Sequence, residues 1–206
     1  SQGKNVFFND HTVTYDAKKF YPIISSTSAG SILTDDVSLM LLTKTVHPSN
    51  NPAHSDVADV SYLCDGAKFN GAFDAGSYTI TATISHKNYV SVVLTANLIV
   101  EKANISYFFT GAELSFDART HYVAVNSSDA YLDDGGVTQI NLKGSDKATV
   151  SYTYESNKNG EGVFFGAINA DVYSVTATIT VSGSVGGNYN VWGQNNSVTA
   201  TLKILP

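Results

Sequence analysis

Between Ser77 and Ile84 polar and apolar side chains alternate without a break. Tyr78, Ile80, Ala82 and Ile84 fall on one side of an extended chain, and Ser77, Thr79, Thr81 and Thr83 on the other. The pattern returns as Tyr173, Val175, Ala177, Ile179 and Val181 against Ser174, Thr176, Thr178 and Thr180. A period of two predicts strands with one buried and one wet face. The β-branched threonines on the wet face also favour extended backbone. Leu98 with Val100, and Leu202 with Ile204, predict the inward face of a closing strand in each half of the chain. The apolar run Val37-Ser38-Leu39-Met40-Leu41-Leu42 is short and flanked by turn residues, which favours a fully buried strand over a helix. No segment carries a convincing 3.6-residue period. Gly76, just before the first alternating run, is expected to supply a turn with positive φ. Asp171-Val172 lacks that glycine, so a different turn is expected there.

The two alternating runs are copies of each other. Asp74-Ala75-Gly76-Ser77-Tyr78-Thr79-Ile80-Thr81-Ala82-Thr83-Ile84 matches Asn169-Ala170-Asp171-Val172-Tyr173-Ser174-Val175-Thr176-Ala177-Thr178-Ile179 without a gap, at an offset of 95 residues. Other anchors keep the same order. Val60-Ser61-Tyr62 recurs as Val150-Ser151-Tyr152, and Asn88-Tyr89 as Asn188-Tyr189. Thr95 to Val100 recurs as Thr199 to Ile204, and Thr14-Tyr15-Asp16-Ala17 more weakly as Ser115-Phe116-Asp117-Ala118. The offset drifts because loops differ while strands stay fixed. The first copy carries an extra polar stretch at His47 to Asp56, the second at Ser182 to Gly187. Repeats of about a hundred residues, with short strands between Gly, Asn, Asp and Ser turns, predict an all-β chain. The expected architecture is two tandem antiparallel β-sandwich, immunoglobulin-like domains, residues 1–102 and 103–206. The alternative is a β-grasp repeat with a helix at residues 36–46. The junction Ile99-Val100-Glu101-Lys102-Ala103-Asn104-Ile105 holds no Gly, Pro or Ser run, which predicts limited freedom between the domains.

Composition narrows the function classes. Charged residues make up only 15%, so polarity comes from Ser, Thr, Asn and Gly, which suit strand faces and turns. A net charge of −6 without a Lys/Arg cluster gives no electrostatic footprint for nucleic acid or an anionic membrane. No run of about 18 apolar residues is present, so no membrane insertion is expected. No signal peptide is evident, and Ser1-Gln2-Gly3 reads as a boundary inside a longer protein. Cys64 is the only cysteine, so an internal disulfide is excluded while secretion is not.

The segments Thr14-Tyr15-Asp16, Val60-Ser61-Tyr62, Asp74 to Thr83 and Leu98-Ile99-Val100-Glu101-Lys102-Ala103 resemble the MBG (YGX-type) repeats of bacterial surface proteins. The resemblance covers nearly the whole chain, twice. This sequence departs from the family at Ala17 and Ala118, where glycine is usual, and at Asp171-Val172, where the family has Gly-Thr. The resemblance implies stalk or binding modules of large secreted or wall-attached adhesins, with no catalytic residues to carry over.

Candidate chemistry is sparse. Asp35 and Asp36, and Asp133 and Asp134 beside Gly135-Gly136, fall at equivalent places and could supply oxygen ligands to calcium, although aspartates in solvated turns are common. His11, His47, His54, His86 and His121 show no metal-ligand spacing. Cys64 reads as a small buried residue rather than a nucleophile; an adhesin-type Cys–Gln thioester is the alternative. A Lys–Asn isopeptide bond is disfavoured because Asn97 and Lys203 are out of phase with their inward neighbours. Tyr189, Trp192, Gln194 and Asn195 combine aromatic faces with amides, a mixture suited to sugars. Tyr189 is expected in the core through its counterpart Tyr89, whereas Trp192 has none. No nucleophile elbow, zinc-protease, P-loop or dinucleotide fingerprint occurs.

The expected function is therefore non-enzymatic: structural stalk or presentation repeats of an extracellular bacterial surface or secreted adhesin-like protein. Its partners would be neighbouring repeats of the same chain. The alternatives are a module binding host glycan or host protein, and accessory domains of a secreted polysaccharide-degrading enzyme.

Overall fold

The alternating segments fold as strands, and their register shows why the pattern is kept. The computed structural model describes residues 6–25, 28–34, 58–126, 130–132, 138–158, 160–162, 166–191 and 196–206. Among these the regular elements are β-strands and one 3-10 helix. The proposed strand at Val37–Leu42 and the alternative helix at 36–46 lie outside the described residues. The chain divides into two compact units, Ser1–Lys102 and Ala103–Pro206.

In the first unit the strands are β1 (His11–Thr14), β2 (Phe20–Ile23), β3 (Ser31–Thr34), β4 (Asp59–Cys64), β5 (Ala67–Lys68), β6 (Gly76–His86) and β7 (Tyr89–Glu101). One sheet has the order β1-β7-β6-β4-β5, with β1 parallel to β7 and the other pairs antiparallel. β2 and β3 form a separate hairpin. Ile80, Ala82, Leu98 and Val100 are buried to 2% exposure or less, and Val60 nearly so. Burying Ile80, Leu98 or Val100 stabilises by about 1.5–3 kcal/mol each relative to exposure, and the single methyl of Ala82 by about 0.8 kcal/mol. Tyr62 spans from the large sheet to the β2 segment, where its hydroxyl accepts from the Ile24 N–H at 3.1 Å. Tyr21 meets Phe69 edge-on, with ring centroids 6.1 Å apart.

The second unit contains β8 (Ala103–Asn104), β9 (Ala112–Ser115), β10 (Ala130–Leu132), β11 (Thr138–Asn141), β12 (Lys147–Ser156), β13 (Gly160–Gly162), β14 (Val172–Val181), β15 (Tyr189–Asn190) and β16 (Ser197–Leu205). The 3-10 helix Gly183–Asn188 precedes β15. The main sheet runs β10-β11-β12-β14-β16-β9, with β13 also on β12 and β9 parallel to β16. Val175, Ala177, Ile179, Leu202 and Ile204 form its buried face.

The backbone contacts of one unit recur in the other. Val60 faces Ile84 and Tyr62 faces Ala82; Val150 faces Ile179 and Tyr152 faces Ala177. Tyr78 faces Leu98, and Tyr173 faces Leu202. Val13 faces Val100, and Leu114 faces Ile204. The bridges Phe7–Ser25 and Phe20–Ala72 are matched by Phe108–Asn126 and His121–Ala167. The Tyr78 hydroxyl donates to the Asp74 carbonyl at 2.8 Å, and that of Tyr173 to the Asn169 carbonyl at 2.9 Å. Ala17 and Ala118 share a left-handed backbone, with φ of 63° and 62°. Both lie just past the parallel strand, where the chain leaves the sheet.

Gly76 corrects an expectation. It does not have a left-handed φ; it is the first residue of β6, paired with Val100, and a Cβ there would meet only the Tyr78 ring at 3.8 Å or beyond. That tolerance explains how Asp171 takes the equivalent place. Buried Asp171 accepts hydrogen bonds from the Ser156 hydroxyl, from the Val172 N–H at 2.7 Å and from the Lys158 N–H at 3.3 Å. It thereby ties β14 to the turn after β12. The Ser156 hydrogen bond, helped by these backbone donors, holds its carboxyl below the usual carboxylate range.

Candidate functional site

The segment that opens the second unit runs beside the segment that follows its 3-10 helix. β8 is parallel to β15, pairing Ala103 with Tyr189 and Asn104 with Asn190, and the Ile105 N–H donates to the Asn190 carbonyl at 3.2 Å. The 3-10 helix delivers Tyr189, whose N–H donates to the Gly186 carbonyl. Across from it lies the turn between β11 and β12. There the Leu142 N–H donates to the Asp146 carbonyl at 2.9 Å, and the Asp146 N–H to the Lys143 carbonyl at 3.0 Å. Gly144 has φ of 60°, the left-handed conformation that glycine adopts most cheaply. The Tyr189 hydroxyl links helix to turn, donating to Asp146 Oδ2 at 2.7 Å and accepting from the Lys143 N–H at 3.2 Å.

These segments enclose a cleft of about 310 Å³ lined by Asn104, Ile105, Ser106, Ile140, Asn141, Leu142, Lys143 and Tyr189. That volume is at the lower end for small-molecule sites. Ile105, Ile140 and Leu142 supply apolar surface; Asn104, Ser106 and Asn141 supply neutral hydrogen-bonding groups, and Lys143 a cation. Asn104 Oδ1 accepts from Asn190 Nδ2 at 3.1 Å, which fixes the orientation of the Asn104 side-chain amide. A lining of amides, a hydroxyl, aliphatic carbon and one lysine suits a small polar ligand.

Of the residues singled out in the sequence for ligand contact, Tyr189 lines this cleft, while Trp192, Gln194 and Asn195 lie outside the described residues. Tyr189 is buried, at 5% exposure, but its sequence counterpart Tyr89 is 52% exposed. The Asn-Tyr dipeptides are therefore not equivalent in the fold. In the first copy the dipeptide closes a tight hairpin between β6 and β7; in the second the 3-10 helix carries Tyr189 to β8. The calcium candidates Asp35, Asp36, Asp133 and Asp134 also lie outside the described residues, as do His47 and His54. Among the described residues no group of three or more His, Cys, Asp or Glu comes together.

Most of the remaining chemistry-bearing side chains have local partners, although His11 Nε2 is buried without a hydrogen-bond partner. His86 Nδ1 accepts from the Asn88 N–H at 3.1 Å, and its ring lies 5.1 Å from that of Tyr89. His121 Nε2 is 2.8 Å from Asp117 Oδ1, which also accepts from the Arg119 N–H at 2.9 Å. The Arg119 N–H and then the imidazole hold the Asp117 carboxyl below its ordinary range. Its equivalent Asp16 has Phe20 in place of His121, and Asp16 Oδ1 is buried without a hydrogen-bond partner. Cys64 is a free thiol, pushed up in pKa by burial and then by the Asp65 carboxylate. Asn97 is exposed and bonded to Thr79, and Lys203 pairs with Glu113 at 3.0 Å. Neither is buried as an isopeptide partner would be.

Asn104, Ser106, Asn141 and Lys143 carry no motif in the sequence; the one local signal is the turn composition of Lys143-Gly144-Ser145-Asp146. No family model and no curated protein matches the chain. Among solved structures, tandem Ig repeats of Dlar align with 99% of this chain and 98% of that one, at 8% identity and a TM-score of 0.26. At that TM-score the alignment carries no argument, and the description of the chain rests on its strand order and register.

Proposed function

We propose that the chain is a pair of immunoglobulin-like β-sandwich repeats from a bacterial cell-surface or secreted adhesin-like protein. They act as a non-catalytic stalk that spaces or presents a distal binding region. The observation that carries this reading is the recurrence of one set of strand pairings and bridges in both units, with a single residue, Lys102, between β7 and β8. A tyrosine at the start of the penultimate long strand, bonded to a carbonyl four residues upstream, supports the immunoglobulin-like assignment in each unit. The resemblance to MBG-type repeats supports the surface location. Small-angle scattering of the pair should give one narrow distribution of end-to-end distances. A broad distribution matching two freely jointed units would refute the spacer reading.

A second reading, a module for host glycan or protein, is favoured by the cleft of the second unit. Its test is a glycan array followed by titration calorimetry on the best binder. Binding lost in Asn141→Ala and Lys143→Ala but kept in Trp192→Ala would place recognition in the cleft. The reverse pattern would place it in the loop.

A further inference from the structure

Among the described residues, the first unit has a strand edge that no neighbouring strand covers. β1 pairs with β7 only from Leu98 to Glu101, and the Asn97 N–H is taken by Asp10 Oδ1 at 2.7 Å. From Tyr89 to Ala96 no described strand lies on that side of β7. Successive residues of a strand direct their backbone groups to opposite edges. Val93, Thr95 and, beside the bulge near His86, Ser91 therefore present their N–H and C=O groups on the same side as Asn97. Side chains add apolar surface: Val90 is 92% exposed, Val93 61%, Tyr89 52% and Val92 48%. The stretch Tyr89-Val90-Ser91-Val92-Val93-Leu94-Thr95-Ala96 holds no charge and no proline. Natural edges usually carry such features to prevent pairing.

We propose that this edge pairs with a second copy of the same chain, antiparallel, about a two-fold axis at Val93. The choice of a second copy rests on the charge pattern. The open stretch is neutral, while exposed Lys87 stands at its hairpin end and exposed Asp10 at the other. An antiparallel two-fold brings Lys87 of each chain toward Asp10 of the other, so the edge complements itself. In this register Val93 meets Val93, Ser91 meets Thr95, and Val92 meets Leu94. The contact is one strand of eight residues, about 27 Å long. That is smaller than a standard interface, so the dimer is of the weak, transient class.

Sedimentation velocity from micromolar to millimolar concentration tests the proposal. The wild-type chain should shift from monomer toward dimer across that range. Val93→Lys and Val93→Glu should each stay monomeric, because like charges then face each other at the axis, and an equimolar mixture of the two should dimerise again. Circular dichroism and melting check that the variants fold; Ser91→Pro, which removes an outward N–H at an exposed residue, is the second variant if either does not. A wild-type chain that stays monomeric throughout, including one that captures an unrelated extended peptide instead, overturns the proposal. So does a dimer indifferent to these substitutions, or a charge-swapped mixture that stays monomeric.

Discussion

Replacing Ala118 with glycine should stabilise the second unit, and replacing Ala17 should do the same, more weakly, for the first. Both alanines sit at φ near 62°, where an L-residue's Cβ crowds its own carbonyl oxygen. That conformation costs about 1–2 kcal/mol for a residue with a side chain. Glycine removes this cost but adds about 0.5–1 kcal/mol of backbone entropy to the unfolded chain. The midpoints of the two ranges, about 1.5 and about 0.75 kcal/mol, leave a net gain of about 0.75 kcal/mol per site. Ala118 is exposed, so truncating it removes little packing; Ala17 is half-buried and loses some contact. For a unit of about a hundred residues a gain of this size raises Tm by about 2–8 °C. Urea denaturation should show a higher midpoint with an unchanged slope, the mark of altered stability rather than altered compactness. Ala200→Gly, in the interior of β16, is the control and should lower stability by about 0.5–1 kcal/mol. If Ala118→Gly is neutral or lowers Tm, the strain argument fails.

Three further outcomes follow from the geometry. The Asp171 carboxyl titrates below its ordinary range in the folded unit, so the unfolded chain binds the proton more readily and stability rises with pH. The contribution is complete above the ordinary carboxylate pKa of about 4 and is lost as pH falls through the depressed value. Asp171→Asn should therefore lower Tm at pH 7 and converge on the wild type in strongly acidic melts; a constant difference at all pH values would contradict this. Gly166→Ala should destabilise by about 2 kcal/mol or more, because φ is 93° and the new Cβ would lie 2.5 Å from Thr120 Cγ2 and 2.9 Å from the His121 carbonyl oxygen. Gly71→Ala should cost less, since its obstruction is the Tyr21 ring, which can shift; equal melting shifts would argue against the distinction. Cys64, its thiol raised by burial and by Asp65, should alkylate with iodoacetamide at pH 8 more slowly than a free cysteine. Labelling as fast as in the urea-unfolded chain would refute that.

What could be read in the sequence was whatever the side chains themselves record. The two-residue alternation from Tyr78 to Ile84 and from Tyr173 to Val181 survives because one face packs on a core and a one-residue slip would expose it all. Pairings made by backbone left weaker traces. The bridges Phe20–Ala72 and His121–Ala167 are equivalent, yet phenylalanine and histidine share nothing that sequence comparison would notice, since the contact uses only N–H and C=O. Conversely, Asn88-Tyr89 and Asn188-Tyr189 are identical but occupy different structures, because a tight hairpin in one copy has become a 3-10 helix in the other. The cleft was illegible for the same reason that it exists: Asn104 and Asn190 are brought together by β8–β15 pairing, a contact between segments far apart in the chain. Differences between copies are thus the better guide to specialised surfaces than similarities. The hairpin at Lys87-Asn88 leaves β7 with an open edge in the first unit, while the inserted helix in the second closes a cleft at the matching place in the chain. The same loop, Lys87-Asn88 in one copy and the 3-10 helix in the other, thus adjoins both the surface proposed for self-pairing and the site proposed for a ligand.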